Sequence, residues 1–210
     1  MTTHKIILVG GGGHCKSVID IAEAAGWEIV GVLDTEENLG KDILGYKVIG
    51  TDDCIINYIN EALFLVTVGY IKNPDLRIKL HNLIIAANGK LATIIAPDAY
   101  VSPYAQIEEG TVIMHKAVVN AGAHVGKGCI INTFANIEHE VTIGDYCHIS
   151  TGAIINGNCT IGEKTFIGSG TIVSNGITIA NRCLVGASSF VRKSLTESGL
   201  YSGNPAKKYR

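Results

Sequence analysis

From Val101 to Val191 every sixth residue is Ile or Val, sixteen positions without a slip or an insertion. A second series lies two residues before each, from Ala99 to Ser189, and is small throughout except at Val141 and Ile177. Glycine follows the aliphatic residue at 126, 144, 162, 168 and 186. A helix repeats near 3.6 residues and a half-buried strand near 2, so a strict period of six suits neither as a single element. Short strands joined by tight corners, three to a coil and stacked as a parallel β-helix, do satisfy it. The aliphatic series then points into a prism, and the small series fills the same interior where a larger side chain would clash.

The repeat takes roughly the second half of a 210-residue chain, so the remainder is long enough for a domain of its own. Residues 1–95 and 96–210 are the expected units. With 17 basic and 19 acidic residues and a formal net charge of −2, no bulk field favours nucleic acid or an anionic membrane. The opening stretch MTTHKIILVG lacks the basic-then-apolar layout of a secretion signal. No apolar run approaches the roughly 18 residues of a membrane span. A soluble, cytoplasmic protein is the expectation. Cys129, Cys147, Cys159 and Cys183 fall on the small interior series, and no C-x-x-C pair occurs. They read as buried small hydrophobes in a reducing compartment, with no metal site.

Ahead of the repeat, Lys5–Val9 is a strand-type run that ends in Gly10-Gly11-Gly12-Gly13-His14. Cys15 to Ala25 follows as a helix, with Val18, Ile21, Ala22 and Ala25 on one face, and Ile29 to Leu33 as a second strand ending at Asp34. Strand, glycine turn, helix, strand, acid is the layout of the first βαβ unit of a Rossmann-like nucleotide-binding sheet. Glycines let backbone amides approach a pyrophosphate, and the helix N-terminus adds a positive dipole. The fingerprint departs from the usual one in carrying Cys15 at its third position. Leu63 to Val68 reads as a third strand followed by Gly69, Asn73-Pro74 as the start of a helix to Ala87, and Leu91 to Ile95 as a last strand. So short a unit suits one mononucleotide or nucleotide-sugar.

Chemistry in a solenoid must come from displayed residues. Asn132 to Glu140 is the conspicuous stretch, followed by His148. His139 stands two residues past interior Ile137, at a corner, and one coil of 18 residues away in each direction lie Ala121 and Gly157. Small neighbours leave room beside the ring. A carboxylate next to an outward imidazole can hold one ring nitrogen and raise the basicity of the other, so His139 with Glu140 or Glu138 has the makings of a general base and its orienter. His115 and His124 are further corner residues without an acidic neighbour in sequence.

The segment from Lys5 to Asp34 with its GGGGH turn, Ile137-Glu-His-Glu140, Val141-x-Ile-Gly144 and the tail Ser202-Gly-Asn-Pro-Ala-Lys207 together resemble the bacterial nucleotide-sugar N-acetyltransferases. These belong with the sialic-acid O-acetyltransferases to one left-handed β-helix family. The resemblance covers essentially the whole chain. It implies a homotrimer with acetyl-CoA between adjacent β-helices and the nucleotide of a UDP- or dTDP-linked 4-amino-4,6-dideoxy sugar on the N-terminal sheet. By position, His139 matches the catalytic base, Glu140 the residue that raises its basicity, and Asn132 a polar residue beside the reacting amine. His148 matches a contact to acetyl-CoA, with Ser169 and Ala187 along its pantetheine. Gly12, Gly13 and His14 match the pyrophosphate turn, Asp34 and Thr35 the base-reading pair, and Gly69 a close backbone approach. Thr35 stands where the family has a second acid, and Tyr70-Ile71-Lys72 replaces its Asn/Asp-containing turn.

The expected function is direct N-acetylation of the C4 amine of a nucleotide-linked 4-amino-4,6-dideoxy sugar. O-acetylation of a sialic acid, or a non-catalytic nucleotide-sugar sensor, are the alternatives on the same scaffold. The nucleotide (UDP, dTDP or GDP), the sugar's stereochemistry and the glycan pathway are not written in the residues.

Overall fold

The structure, a computed structural model, describes residues 4–209. Met1–Thr3 and Arg210, at the ends of the two expected domains, lie outside the described residues. The described chain divides into two compact units, residues 4–70 with 74–97 and residues 71–73 with 98–209.

In the first unit, β1 (Lys5–Val9), β2 (Glu28–Leu33), β4 (Tyr46–Gly50) and β5 (Leu63–Val66) form a parallel sheet, with β3 (Asp42–Ile43) antiparallel at its edge. The order is β3-β4-β2-β1-β5. The chain thus winds outward from β1 on one side and returns to pair with β1 on the other. That reversal puts a topological switch point at the C-terminal end of β1, where the glycine turn begins. Ile6 to Val9, all fully buried, read as the continuous apolar run of a strand covered on both faces.

Several expectations shift in detail. Helix α1 (Gly13–Ala24) begins two residues before Cys15, because its N-cap is Gly12. The third strand stops at Val66: Thr67 turns its hydroxyl onto the carbonyls of Val9 and Gly10. After the one-turn helix α2 (Ile55–Tyr58), helix α3 (Asp75–Ala86) takes Pro74 as its N-cap rather than Asn73. Of the expected strand from Leu91 to Ile95, only a bridge from Leu91 to Phe64 and a two-residue strand at Ile94–Ile95 form. The β3–β4 hairpin is absent from the sequence reading. Its two-residue turn puts Leu44 at φ 52° and Gly45 at φ 92°, and leucine in the first of these places hides the Asn-Gly or Asp-Gly signal such turns usually carry.

The second unit is the coil that the sixfold repeat dictates. Two-residue strands pair in parallel with those exactly one coil away, as Val118 does with Asn136 and Ile137 with Ile155. They build three sheets. The first runs from Tyr100–Val101 to Phe190–Val191, the second from Gln106–Ile107 to Thr178–Ile179, and the third from Val112–Ile113 to Cys183–Val185. The third continues into Gly199–Ser202 and an antiparallel Lys207–Lys208 strand. Both interior series are packed into one core from Ile113 to Val191, while Ala99, Val101, Ala105 and Ile107 in the first coil are only partly buried. The four repeat cysteines lie inside, and all six cysteines are unpaired thiols.

The corners explain the rest of the sequence. At every sixth position from 110 to 188 the backbone is left-handed: six of these residues are glycine and eight are not, Glu140 (φ 59°) among them. A glycine after the aliphatic residue is needed for another reason. A Cβ on Gly168 would stand 2.5 Å from the Ala187 backbone N of the next coil.

Candidate functional site

The predicted residues fall into three groups. The first is the C-terminal edge of the parallel sheet. Gly12 and Gly13 are exposed, with no atom within 4 Å of an added Cβ. The Cys15 N–H turns back onto the Gly12 carbonyl at 3.1 Å, so α1 begins with a tight turn at this exposed glycine pair. Gly69 faces His14, whose Cβ stands 3.5 Å from where a Gly69 Cβ would be. Asp34 has an internal role: Oδ2 accepts from the Gly11 N–H (3.1 Å) and Asn38 Nδ2 (3.0 Å), and Oδ1 from the Thr35 N–H (2.8 Å). Its carboxylate ties the glycine turn to the loop after β2. Asn38 also donates to the Thr35 hydroxyl at 3.3 Å and accepts from Lys41 Nζ at 2.6 Å. Asn38 and Lys41 were not singled out from sequence, and nothing in their spacing marked them.

The second group is the corner between the first and second sheets, which carries His139 and Glu140. His139 Nδ1 lies 3.3 Å from Glu140 Oε2, and both side chains are more than half exposed. The choice between the two glutamates resolves here. Glu138 is held by Asn120 Nδ2 (3.0 Å) and Asn136 Nδ2 (2.9 Å), leaving Glu140 as the carboxylate on the imidazole. The His139 ring lies over the next coil at Gly157, where an added Cβ would meet Nε2 and Cε1 at 2.5 Å. A carboxylate partner is not peculiar to His139. His115 Nδ1 meets Asp98 Oδ1 at 2.7 Å, and His124, on the strand His124–Val125 rather than at a corner, meets Glu108 Oε1 through Nε2 at 3.2 Å. These acids come from the preceding coil, so adjacency in sequence hid them. His139 differs in its exposure and in the glycine platform under its ring.

The third group lies on the third sheet and the corner after it. His148, Ser150, Phe166, Ser169 and Ala187 line a groove of about 380 Å³, together with Ile71, Gly168, Leu184 and Gly186. All three predicted acetyl-CoA contacts are therefore side by side. His148 is buried and meets Phe166 edge to face, with ring centroids 5.1 Å apart. Ser150 Oγ and Ser169 Oγ are 2.9 Å apart. Asn132 belongs to this group and not to His139: its Nδ2 is 3.2 Å from His148 Nε2. Gly168 is buried and Gly186 half-buried, so neither adds a side chain to this stretch of the groove.

The second and third groups do not meet within one chain. His139 sits at the corner where the first sheet passes to the second, and the third sheet closes the opposite side of the prism. The packed interior lies between them.

Two family models match the chain: the PglD N-terminal domain over residues 5–84 and the GMPPB C-terminal domain over residues 94–202. No curated protein matches it by sequence. Among solved structures, a variant of perosamine N-acetyltransferase from Caulobacter crescentus in complex with CoA and GDP-perosamine is 30% identical. It covers 98% of this chain and 97% of that one, with a TM-score of 0.92. The acetyltransferase domain of PglB from Neisseria gonorrhoeae FA1090, in complex with acetyl coenzyme A, is 34% identical over 99% and 100% of the two chains, also at 0.92. WeeI from Acinetobacter baumannii AYE shares the fold at 22% identity, covering 99% and 100%, with a TM-score of 0.82. An α/β unit followed by an unbroken hexapeptide coil defines an acyltransferase of the left-handed β-helix class. Within that class, the chain belongs to the bacterial nucleotide-sugar N-acetyltransferase family.

Proposed function

We propose that this protein transfers acetyl from acetyl-CoA to the C4 amine of a nucleotide-linked 4-amino-4,6-dideoxy sugar, with His139 as general base. The observation that carries this reading is the His139 corner: an exposed imidazole braced by Glu140 on one nitrogen, with its other edge over Gly157. With Glu140 accepting from Nδ1–H, Nε2 is left as the basic nitrogen. It takes a proton as the sugar nitrogen attacks the thioester carbonyl. The C–N bond forms, the C–S bond breaks, and the CoA thiolate departs and recovers a proton. A covalent acyl-cysteine route has no support in the residues present, since five of the six thiols are buried and the sixth, Cys54, lies in the short 3-10 helix Asp52–Cys54 of the first unit. Holding amine and thioester together supplies much of the rate.

The acceptor's nucleotide belongs at the switch point of the sheet, with pyrophosphate on Gly12, Gly13 and His14. Asp34 and Thr35 bound the place of the base. The thioester belongs in the groove of His148, Ser169 and Ala187.

The opposite placement of base and groove supports an assembly in which neighbouring copies complete each other's sites. The outer residues of the three sheets agree. The second sheet shows Gln106, His124, Thr142, Thr160 and Thr178. The first shows Val118, Ile154, Ile172 and Phe190, and the third shows Leu184, with Ile130 and Phe166 on the same side of their strands but buried within the chain. One face is polar and two are largely apolar. A threefold ring joins the third-sheet face of each prism to the first-sheet face of the next and closes on itself. It brings His139 of one copy to the groove of its neighbour.

The test is thiol release from acetyl-CoA against UDP-, dTDP- and GDP-linked 4-amino sugars and against a free sialic acid. Activity confined to nucleotide-linked amines is expected. His139→Ala is expected to lower kcat by ~10²–10⁴-fold, and Glu140→Gln by less. Near-full kcat in a natively assembled His139→Ala protein sinks the assignment.

A further inference from the structure

We infer that Asn132 is a positioning residue on the acetyl-CoA side of the site, acting through His148 rather than on the sugar amine. The inference rests on the acyl-transfer reading above and assigns one residue within it. Asn132 Oδ1 accepts the Thr133 N–H at 2.8 Å. That bond settles which end of the amide is which, so the group 3.2 Å from His148 Nε2 is the NH2. An amide NH2 only donates, so Nε2 must be the acceptor and the neutral ring carries its proton on Nδ1. Protonating Nε2 would set two donors against each other. Asn132 thereby holds His148 in one tautomer and uncharged.

The geometry around the pair gives this a purpose. His148 is 8% exposed and forms the groove wall with Phe166, whose ring meets it edge-on at an interplanar angle of 89°. A charged imidazole there would need solvation that an apolar wall does not provide. A ring free to turn would fill part of the channel beside Ser169 and Ala187. Asn132 reaches the wall from the adjoining corner one coil earlier, and its oxygen contact with the Thr133 N–H leaves the amide little freedom. With its oxygen on the Thr133 N–H and its NH2 on His148, the Asn132 amide is oriented by the groove wall.

Calorimetric binding of CoA and of a nucleotide-linked sugar to the assembled protein tests this, and CoA binding is measurable whether or not the acceptor has been identified. Asn132→Ala is expected to weaken CoA binding about tenfold, the loss of one partly buried hydrogen bond, and to leave nucleotide-sugar binding within about twofold. In a His148→Phe background, which keeps an aromatic wall, adding Asn132→Ala should change CoA affinity no further. Asn132→Ser repeats the test should the alanine variant fold poorly. Unchanged CoA binding, a loss confined to the nucleotide-sugar, or full additivity with His148→Phe overturns the assignment. Absence of acetyl transfer to any nucleotide-linked amine, with CoA binding still sensitive to Asn132, would count against the acyl-acceptor reading and leave the Asn132–His148 pairing standing.

Discussion

At the scale of single residues, Gly157 is the sharpest case. Seen alone it is one small residue among many in a coil rich in them. In the structure it is the floor beneath the His139 ring, and no Cβ fits between them. Gly157 carries no unusual backbone angle, so alanine is compatible with the coil itself. The only large steric demand falls on the imidazole, which must rotate away. We expect Gly157→Ala to fold and assemble normally and to lose ~10²-fold or more in kcat, approaching removal of the base. An unperturbed kcat in that variant means that the ring does not work from this position. The residue scale is also where sequence reading falls short. His139–Glu140 is legible because the partners are adjacent, whereas Asp98–His115, Glu108–His124 and Asn132–His148 are joined across 16 or 17 positions. Coil stacking makes those pairs, and their partners become nameable only once the corner geometry is known.

At the scale of elements, the coil was almost wholly legible and the sheet only partly. A strict period leaves one solution for which residues face inward, and the structure follows it from Ile113 onward. The α/β unit has no such ruler. Its β3–β4 hairpin hides behind Leu44, and α3 conceals two polar side chains, Arg77 and His81, both fully buried. Arg77 donates to the carbonyls of Val66 and Val68 at the end of β5. Burial, with Arg77 beside it, lowers the His81 pKa from 6.5 to about 3. Folded His81 therefore stays neutral where the unfolded chain takes up a proton, so the unfolded state binds more protons between these two values. Stability is full above the upper value and falls as pH drops through the window, by about 2 kcal/mol between pH 7 and 5 from this residue alone. Denaturant melts at the two pH values measure it, and His81→Leu should flatten the difference. The thiols offer a second check on the elements. Burial pushes the Cys15 thiol up to about 11 and raises those of Cys147, Cys159 and Cys183. With Cys54 the one thiol not buried, a disulfide reagent at pH 8 should modify one cysteine per chain quickly and the rest only on unfolding. A second rapid equivalent would place Cys15 or one of the repeat cysteines at the surface.

At the scale of the whole molecule, function follows from which sides of the prism carry what. The His139 corner and the His148 groove are separated by the interior of the coil, so under the proposed reaction a lone chain carries base and groove on sides that face apart. If the halves meet only across an interface, two chains defective in different halves must repair each other. Take His139→Ala, which loses the base, and Ala187→Trp, which fills the exposed end of the groove with an indole. Each variant alone should assemble and be inactive. Chains mixed at random in equal amounts form some interfaces where an intact His139, from the groove variant, meets an intact groove, from the base variant. These make up about one quarter of all interfaces, so the mixture should recover about a quarter of wild-type activity. Recovery must require subunit exchange: combining preassembled variants under conditions that prevent exchange should restore nothing. If the mixed assemblies form and remain inactive, base and groove act within the same chain, and the distance across the prism has to be closed by a rearrangement of the coil. Its continuous core from Ile113 to Val191 opposes any such change.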